Sequence, residues 1–100
     1  MRTRLHPAAS AEADAAALWY EGERPGLGHD FLAELNRAVA AISEAPRTWP
    51  FVRGSRTYRL FVLPRFPYKL LYRIARDEIR IHAVAHTSRR PGFWRGRRFR

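Results

Sequence analysis

The chain has no cysteine. That excludes a disulfide scaffold, a thiolate zinc site and a cysteine nucleophile, and it fits a reducing cytosol. No apolar run approaches the roughly 20 residues that cross a bilayer, so no membrane partner is expected. The alanines near the start are interrupted by Glu12 and Asp14, and that stretch is not read as a secretion signal. Acids almost vanish after Pro50. Residues 51–100 carry only Asp77 and Glu78 against thirteen arginines and Lys69, whereas residues 1–50 hold five arginines and seven acids. Paired-carboxylate hydrolysis and two-metal phosphoryl transfer therefore lack their groups in the second half. A glycine-rich phosphate loop is missing too, because Gly26-Leu27-Gly28 has neither a preceding strand nor a third glycine.

What is present is a polarised charge. The net charge is +10, and all of the excess lies after Pro50. Such a half attracts a phosphate backbone, an acidic protein or an anionic membrane surface. At 46% hydrophobic the chain can bury a core, and 100 residues suit one domain. We read residues 1–100 as that single domain, with a basic C-terminal tail from about residue 89.

In order, Arg2 to His6 suits an edge strand, and Pro7 suits the first turn of a helix. The alanine-rich stretch from Ala8 to Gly22 reads as that helix, closed by Gly22, Pro25 and Gly26. A second helix follows, with Asp30 as its expected N-cap. Phe31, Leu35, Ala38, Val39 and Ile42 make one apolar stripe at helical spacing. The short connection predicts an antiparallel helical hairpin. After a loop over Pro46 to Arg56, the residues alternate as strands. Tyr68, Leu70, Tyr72 and Ile74 share one face, opposite Lys69, Leu71 and Arg73. Arg76-Asp77-Glu78 turns the chain. Ile79, Ile81, Ala83 and Ala85 are then expected on one face, opposite Arg80, His82, Val84 and His86. The predicted fold is α+β: an N-terminal α-helical hairpin packed on a twisted antiparallel sheet of three to four strands. The uncovered face is expected to carry Lys69, Arg73, Arg80, His82 and His86.

His82 and His86 do not make a metal pair. On a strand they stand about 13 Å apart, and no metal or other cofactor is expected. The basic surface admits two kinds of work. It can bind nucleic acid through phosphates and stacking. It can also cleave RNA without metal, with Arg or Lys stabilising charge on phosphorus and a His, Lys or Tyr moving protons. Lys69, His86, Arg65 and Arg89 are the catalytic candidates. Arg59, Arg73, Arg80, Arg90, Phe93, Trp94 and Arg95 are candidates for contact with nucleic acid or another target. Phe93 and Trp94 have a second reading, as a cap on the sheet's apolar edge. Arg97-Arg98-Phe99-Arg100 is expected to be mobile.

The run Phe66-Pro67-Tyr68-Lys69-Leu70-Leu71-Tyr72-Arg73-Ile74 is followed by Ile79, Ile81, Ala83-Val84-Ala85-His86, Arg89-Arg90-Pro91 and Phe93-Trp94. Together with Pro7-Ala8-Ala9, Trp19-Tyr20, Gly26-Leu27-Gly28 and Phe31-Leu32, it resembles the RelE/ParE superfamily of type II toxin–antitoxin toxins. The resemblance implies a cytoplasmic protein neutralised by a small antitoxin that is encoded beside it and wraps it with a helix or extended segment. It implies growth inhibition, either by ribosome-dependent mRNA cleavage or by poisoning DNA gyrase. The alternative is a basic module of the same fold that binds nucleic acid or the antitoxin and does no more. In RelE-like enzymes Lys69 would correspond to a phosphate-stabilising arginine. Phe93 falls near their C-terminal tyrosine, and Thr87 near another arginine.

Overall fold

The computed structural model describes residues 1–100. Its elements are β1 (Arg2–Leu5), α1 (Pro7–Glu23), α2 (Leu27–Glu44), β2 (Tyr58–Val62), β3 (Tyr68–Ala75) and β4 (Glu78–His86). Two helices pack on a four-stranded sheet of order β1-β4-β3-β2. No helix is long and apolar enough to cross a membrane.

Helix α1 starts where the residues favour it. His6 is the N-cap, its Nδ1 accepting from the Ala8 N–H at 3.0 Å, and Pro7 takes the first helical position, where no N–H is needed. Alanine is the best helix former, and Ala9, Ala13, Ala16 and Ala17 give a buried stripe so flat that α2 can lie close. The closest approach is at Gly28, where an added Cβ would stand 2.5 Å from the Ala17 carbonyl oxygen. Asp30 is not the N-cap of α2. That helix begins earlier, at Leu27, after Gly26 in the left-handed region at φ 88°. Two N–H groups at its start are satisfied from the preceding helix, since Glu21 accepts from Gly26 N at 3.0 Å and from Gly28 N at 3.1 Å.

The expectation of an all-antiparallel sheet is corrected, because the sheet is mixed. The β2–β3 and β3–β4 pairs are antiparallel, but β1 pairs with β4 in parallel, Arg2 opposite Glu78 and Leu5 opposite Ile81. Adjacent strands joined by tight turns must reverse. β1 reaches β4 only across the helical hairpin and two further strands, so no turn imposes antiparallel pairing. The β3–β4 turn is the two-residue Arg76-Asp77, both at positive φ (52° and 62°), the geometry that matches the twist of a hairpin.

The expected parity of β4 also fails, for one local reason. Tyr72 pairs with Ile81 and Leu71 pairs with Ala83, so His82 is the extra residue of a β-bulge. Past it the faces exchange. Ile79, Ile81 and Val84 join the helix-side core with Phe31, Leu35, Ile42, Leu70 and Tyr72. Ala83 and Ala85 turn to the other side and pack with Leu71 and Trp94. Val52, Tyr58, Leu60 and Phe93 close over this second, smaller core. The face away from the helices is therefore partly roofed by the 45–57 loop and the C-terminal tail.

The tail is docked, which corrects the expectation that residues 97–100 are mobile. Arg97 pairs with both carboxylate oxygens of Glu12, at 2.8 and 2.9 Å, and donates to the His82 carbonyl at 2.9 Å. Phe99 packs edge-on against His6 and tilted against His82, with ring centroids 5.4 and 4.8 Å away.

Candidate functional site

The bulge and the register decide which charged groups meet. On β3, Lys69 lies opposite Ala85 and Val62, on the face away from the helices. It borders a depression of about 200 Å³ together with Arg53 and Arg95, over a floor that includes Leu60, Leu71 and Trp94. None of these three cations makes an ion pair. Arg95 lies over the rings of Tyr58 and Trp94, its guanidinium carbon 5.3 and 5.0 Å from their centroids. The dish therefore offers positive charge above an aromatic and aliphatic floor, an arrangement suited to an anionic group attached to something flat or apolar.

His86 is elsewhere. It lies opposite Tyr68 on the helix side of the sheet, with ring centroids 5.4 Å apart. Its Nδ1 accepts from the Ser88 N–H at 3.1 Å. It borders a groove against α1 with Ala16, Trp19 and Arg89. Lys69 and His86 are thus on opposite faces of one sheet and do not address a common phosphate.

The other catalytic candidates disperse as well. Arg65 clamps the Pro64–Pro67 turn to α2: its N–H and Nε donate to Glu34 at 2.9 and 2.8 Å. Burial alone would raise the Glu34 carboxyl. The hydrogen bonds and charge of Arg65 outweigh that and hold it below the ordinary carboxylate value. Arg89 lies 3.8 Å over the Phe93 ring and pairs with Glu12 at 3.4 Å. Phe93 is sandwiched further by Arg97, whose guanidinium carbon is 5.2 Å from the ring centroid. The position has no hydroxyl to orient or deprotonate a nucleophile.

Several contact candidates turn out to hold the fold. Trp94 is 1% exposed and serves as the largest side chain of the second core, so it is not a contact residue. An indole released to solvent there would strip the sheet of its apolar cover. Arg59 stacks 3.9 Å over Phe51 and donates to the Arg47 and Trp49 carbonyls, pinning the 45–57 loop. Arg80 and Arg4 share Glu78, at 3.0 and 3.1 Å, and cover the Phe99 ring. Burial would raise the Glu78 carboxyl, but these arginines hold it below its usual value. Arg73 donates from Nε to His82 Nε2 at 3.1 Å. His82, expected on an open face, is 1% exposed. Burial first, and then the Arg73 charge, lower its imidazole to about 4, so it is neutral at physiological pH. Arg90 and Arg95 remain exposed.

Arg53 was not among the residues singled out by sequence. It sits in the irregular 45–57 loop, where no periodicity assigns a face. The loop is positioned by Val52 N donating to the Tyr58 carbonyl (2.8 Å) and by Ser55 Oγ accepting from Tyr58 N (2.9 Å). Among the residues described there is no cluster of three His, Cys, Asp or Glu side chains placed to hold a metal.

A family model described as the ParE toxin of the type II toxin–antitoxin system parDE matches residues 3–91. Among solved structures, the chain is similar to "Chromosomal ParDE TA system from P. aeruginosa", with a TM-score of 0.77 and 18% identity, over 86% of this chain and 95% of that one. At that identity the likeness speaks for the fold alone. No curated protein matches the chain.

Proposed function

The chain belongs to the ParE toxin family of type II toxin–antitoxin systems, and from that premise we propose that it arrests growth by binding DNA gyrase and not by cutting mRNA. One observation carries the choice. Lys69 and His86, the pair that would stabilise phosphorus and move a proton, are separated by the sheet. Phe93, between Arg89 and Arg97, supplies no hydroxyl in their place. A binding role needs no assembled acid and base. It needs a complementary surface, and the dish of Arg53, Lys69 and Arg95 is one for an anionic target. In this reading the toxin works in the cytoplasm, with gyrase and its DNA as target and a small antitoxin as its second partner.

The test is induction of the protein alone in bacteria, with gyrase–DNA cleavage complexes and new mRNA 5′ ends mapped in the same culture. Trapped gyrase with an unchanged mRNA profile is the expected result. Codon-phased mRNA ends without trapped gyrase would overturn the reading. Normal growth with neither signal would leave a basic binding module instead of a toxin.

A further inference from the structure

The largest cavity of the molecule shares no residue with the dish. It lies between residues 4–7, at the end of β1, and residues 96–100 of the tail, and it holds about 820 Å³. A volume of that order falls among small-molecule sites, about 300–1,000 Å³. Its two walls are tied together at the margins. Arg97 is anchored to Glu12 and to the His82 carbonyl, Phe99 packs edge-on against His6, and Arg4 donates to the Arg100 carbonyl.

The lining side chains offer donors and no free acceptor. Four are arginines, Arg4, Arg97, Arg98 and Arg100, and a guanidinium has N–H groups only. The remaining polar group is His6. Its Nδ1 already accepts from the Ala8 N–H, so the ring carries its proton on Nε2 as a further donor. No acid is among the lining residues, and the first turn of α1 beside them holds none. Arg4 and Arg97 are paired with Glu78 and Glu12, but each carboxylate is shared with a second arginine, Arg80 and Arg89 respectively. Arg98 and Arg100 are exposed and make no ion pair. An occupant must therefore accept on every side and bring several negative charges. A peptide fails the first condition, because its own N–H groups would meet no side-chain acceptor here. A single phosphate is small for the volume. A chain of phosphates meets both conditions, and guanidiniums grip phosphate oxygens two at a time.

We propose that this cavity binds a linear polyphosphate group, carried by a nucleoside triphosphate or by inorganic polyphosphate. Arg98 and Arg100 supply the free charge. Arg4 and Arg97 turn their remaining N–H groups to the ligand, and His6 Nε2 donates one bond. The ligand bridges β1 and the tail, and so fastens the strap that Arg97 and Phe99 already hold over His82. The same tail roofs the second core through Trp94, so its docking is tied to the supply of phosphate chains. The site does not depend on gyrase being the target.

The probe is sodium tripolyphosphate, titrated by calorimetry into the full-length protein in magnesium-free buffer. Ionic strength is held near ~0.15 M, because at low salt a basic protein attracts any polyanion. One molecule should bind per chain, and inorganic monophosphate should bind roughly tenfold more weakly or worse, for want of at least one charge-assisted bond. Arg98→Ala combined with Arg100→Ala should weaken tripolyphosphate by about tenfold or more on the same basis. Arg37→Ala combined with Arg56→Ala removes equal charge from exposed, unpaired arginines elsewhere and should change the affinity little. In ¹⁵N spectra the shifts should fall on residues 97–100 and on the His6 ring. Exchange of the Arg97 amide, which donates to the Trp94 carbonyl at 3.2 Å, should slow. Equal losses from the two double variants, monophosphate binding as tightly, or no binding at that ionic strength would overturn the site. Magnesium-free ATP separates the two sources. Tighter binding than tripolyphosphate names a nucleotide, binding no tighter names the inorganic chain, and either order supports the site.

Discussion

The two faces of the sheet are covered by different means. The helix side is sealed by two long helices, held close to each other by alanines and Gly28, which pack on Leu70, Tyr72 and Ile81 of the sheet. The Tyr72 hydroxyl donates to the Pro46 carbonyl at 2.7 Å, and burial pushes its phenol up to about 12. The other side is roofed by irregular chain, the 45–57 loop and the tail, around only four fully buried residues. Its margin is left to arginines without acid partners. The difference teaches where function can sit. Directly beneath the helices Leu70, Tyr72, Ile79 and Ile81 are buried and cannot meet a target. A face closed by loops keeps a small core for stability and a rim of unpaired charge for binding.

Truncation separates the two sides first. Phe31→Ala should cost about 3–5 kcal/mol, since its ring is enclosed by Tyr20, Phe66 and Tyr68 and cannot be replaced by local collapse. Trp94→Ala should cost about 3 kcal/mol, the lower end of that range, because half-buried Val52, Leu60 and Phe93 can close in. Urea unfolding compares them directly. A larger loss at Trp94 would mean that the tail side, and not the helix side, dominates stability.

Gly28→Ala tests the helical seal. The new Cβ would meet the Ala17 carbonyl oxygen at 2.5 Å, which is backbone and cannot swing aside. Overpacking of about 1–3 kcal/mol should exceed the roughly 1 kcal/mol that alanine contributes to helix propensity. A rise in Tm would show that the helices can separate slightly without loss.

Acid tests the tail side. His82 has its folded value lowered to about 4, against an ordinary value near 6.5. The unfolded chain therefore binds the proton first. Stability should be intact above pH 6.5 and fall as pH drops toward 4, by up to about 1.4 kcal/mol per pH unit from this group. The lowered carboxyls of Glu34 and Glu78 act in the same direction at lower pH. Titration of the His82 ring by NMR checks the premise, and a midpoint near 6.5 would contradict the enclosure of this residue. The smallest change in stability belongs to Lys69→Ala, within about 0.5 kcal/mol, because the side chain has no ion-pair partner. Its effect should fall on growth arrest, which is expected to weaken strongly. Undiminished toxicity would remove the dish from the binding surface.

Much of the fold was legible in the residues. The stripe of Phe31, Leu35, Ala38 and Ile42 and the alternation of Tyr68 to Ile74 are period signals, and each placed its element on the correct face. The RelE/ParE resemblance, carried by the strand motif and its helical prelude, agrees with the family match over residues 3–91. The candidate site was less legible. Period two holds only while register holds, and the single bulge at His82 exchanged Ala83 and Ala85 with Val84. Lys69 and His86 were read on one face and lie on two. Trp94 and Arg97 carry no local period, so neither their burial nor their docking could be read from spacing.

Local chemistry along the chain was enough for the elements, the polarised charge and the family, because helical and strand periods, caps and turns are properties of neighbouring residues. The parallel pairing of β1, the inward turn of His82, the roof of loop and tail, and the Glu12–Arg97 pair all join residues far apart in sequence. Those contacts form only once the hairpin has packed on the sheet, and no local pattern encodes them.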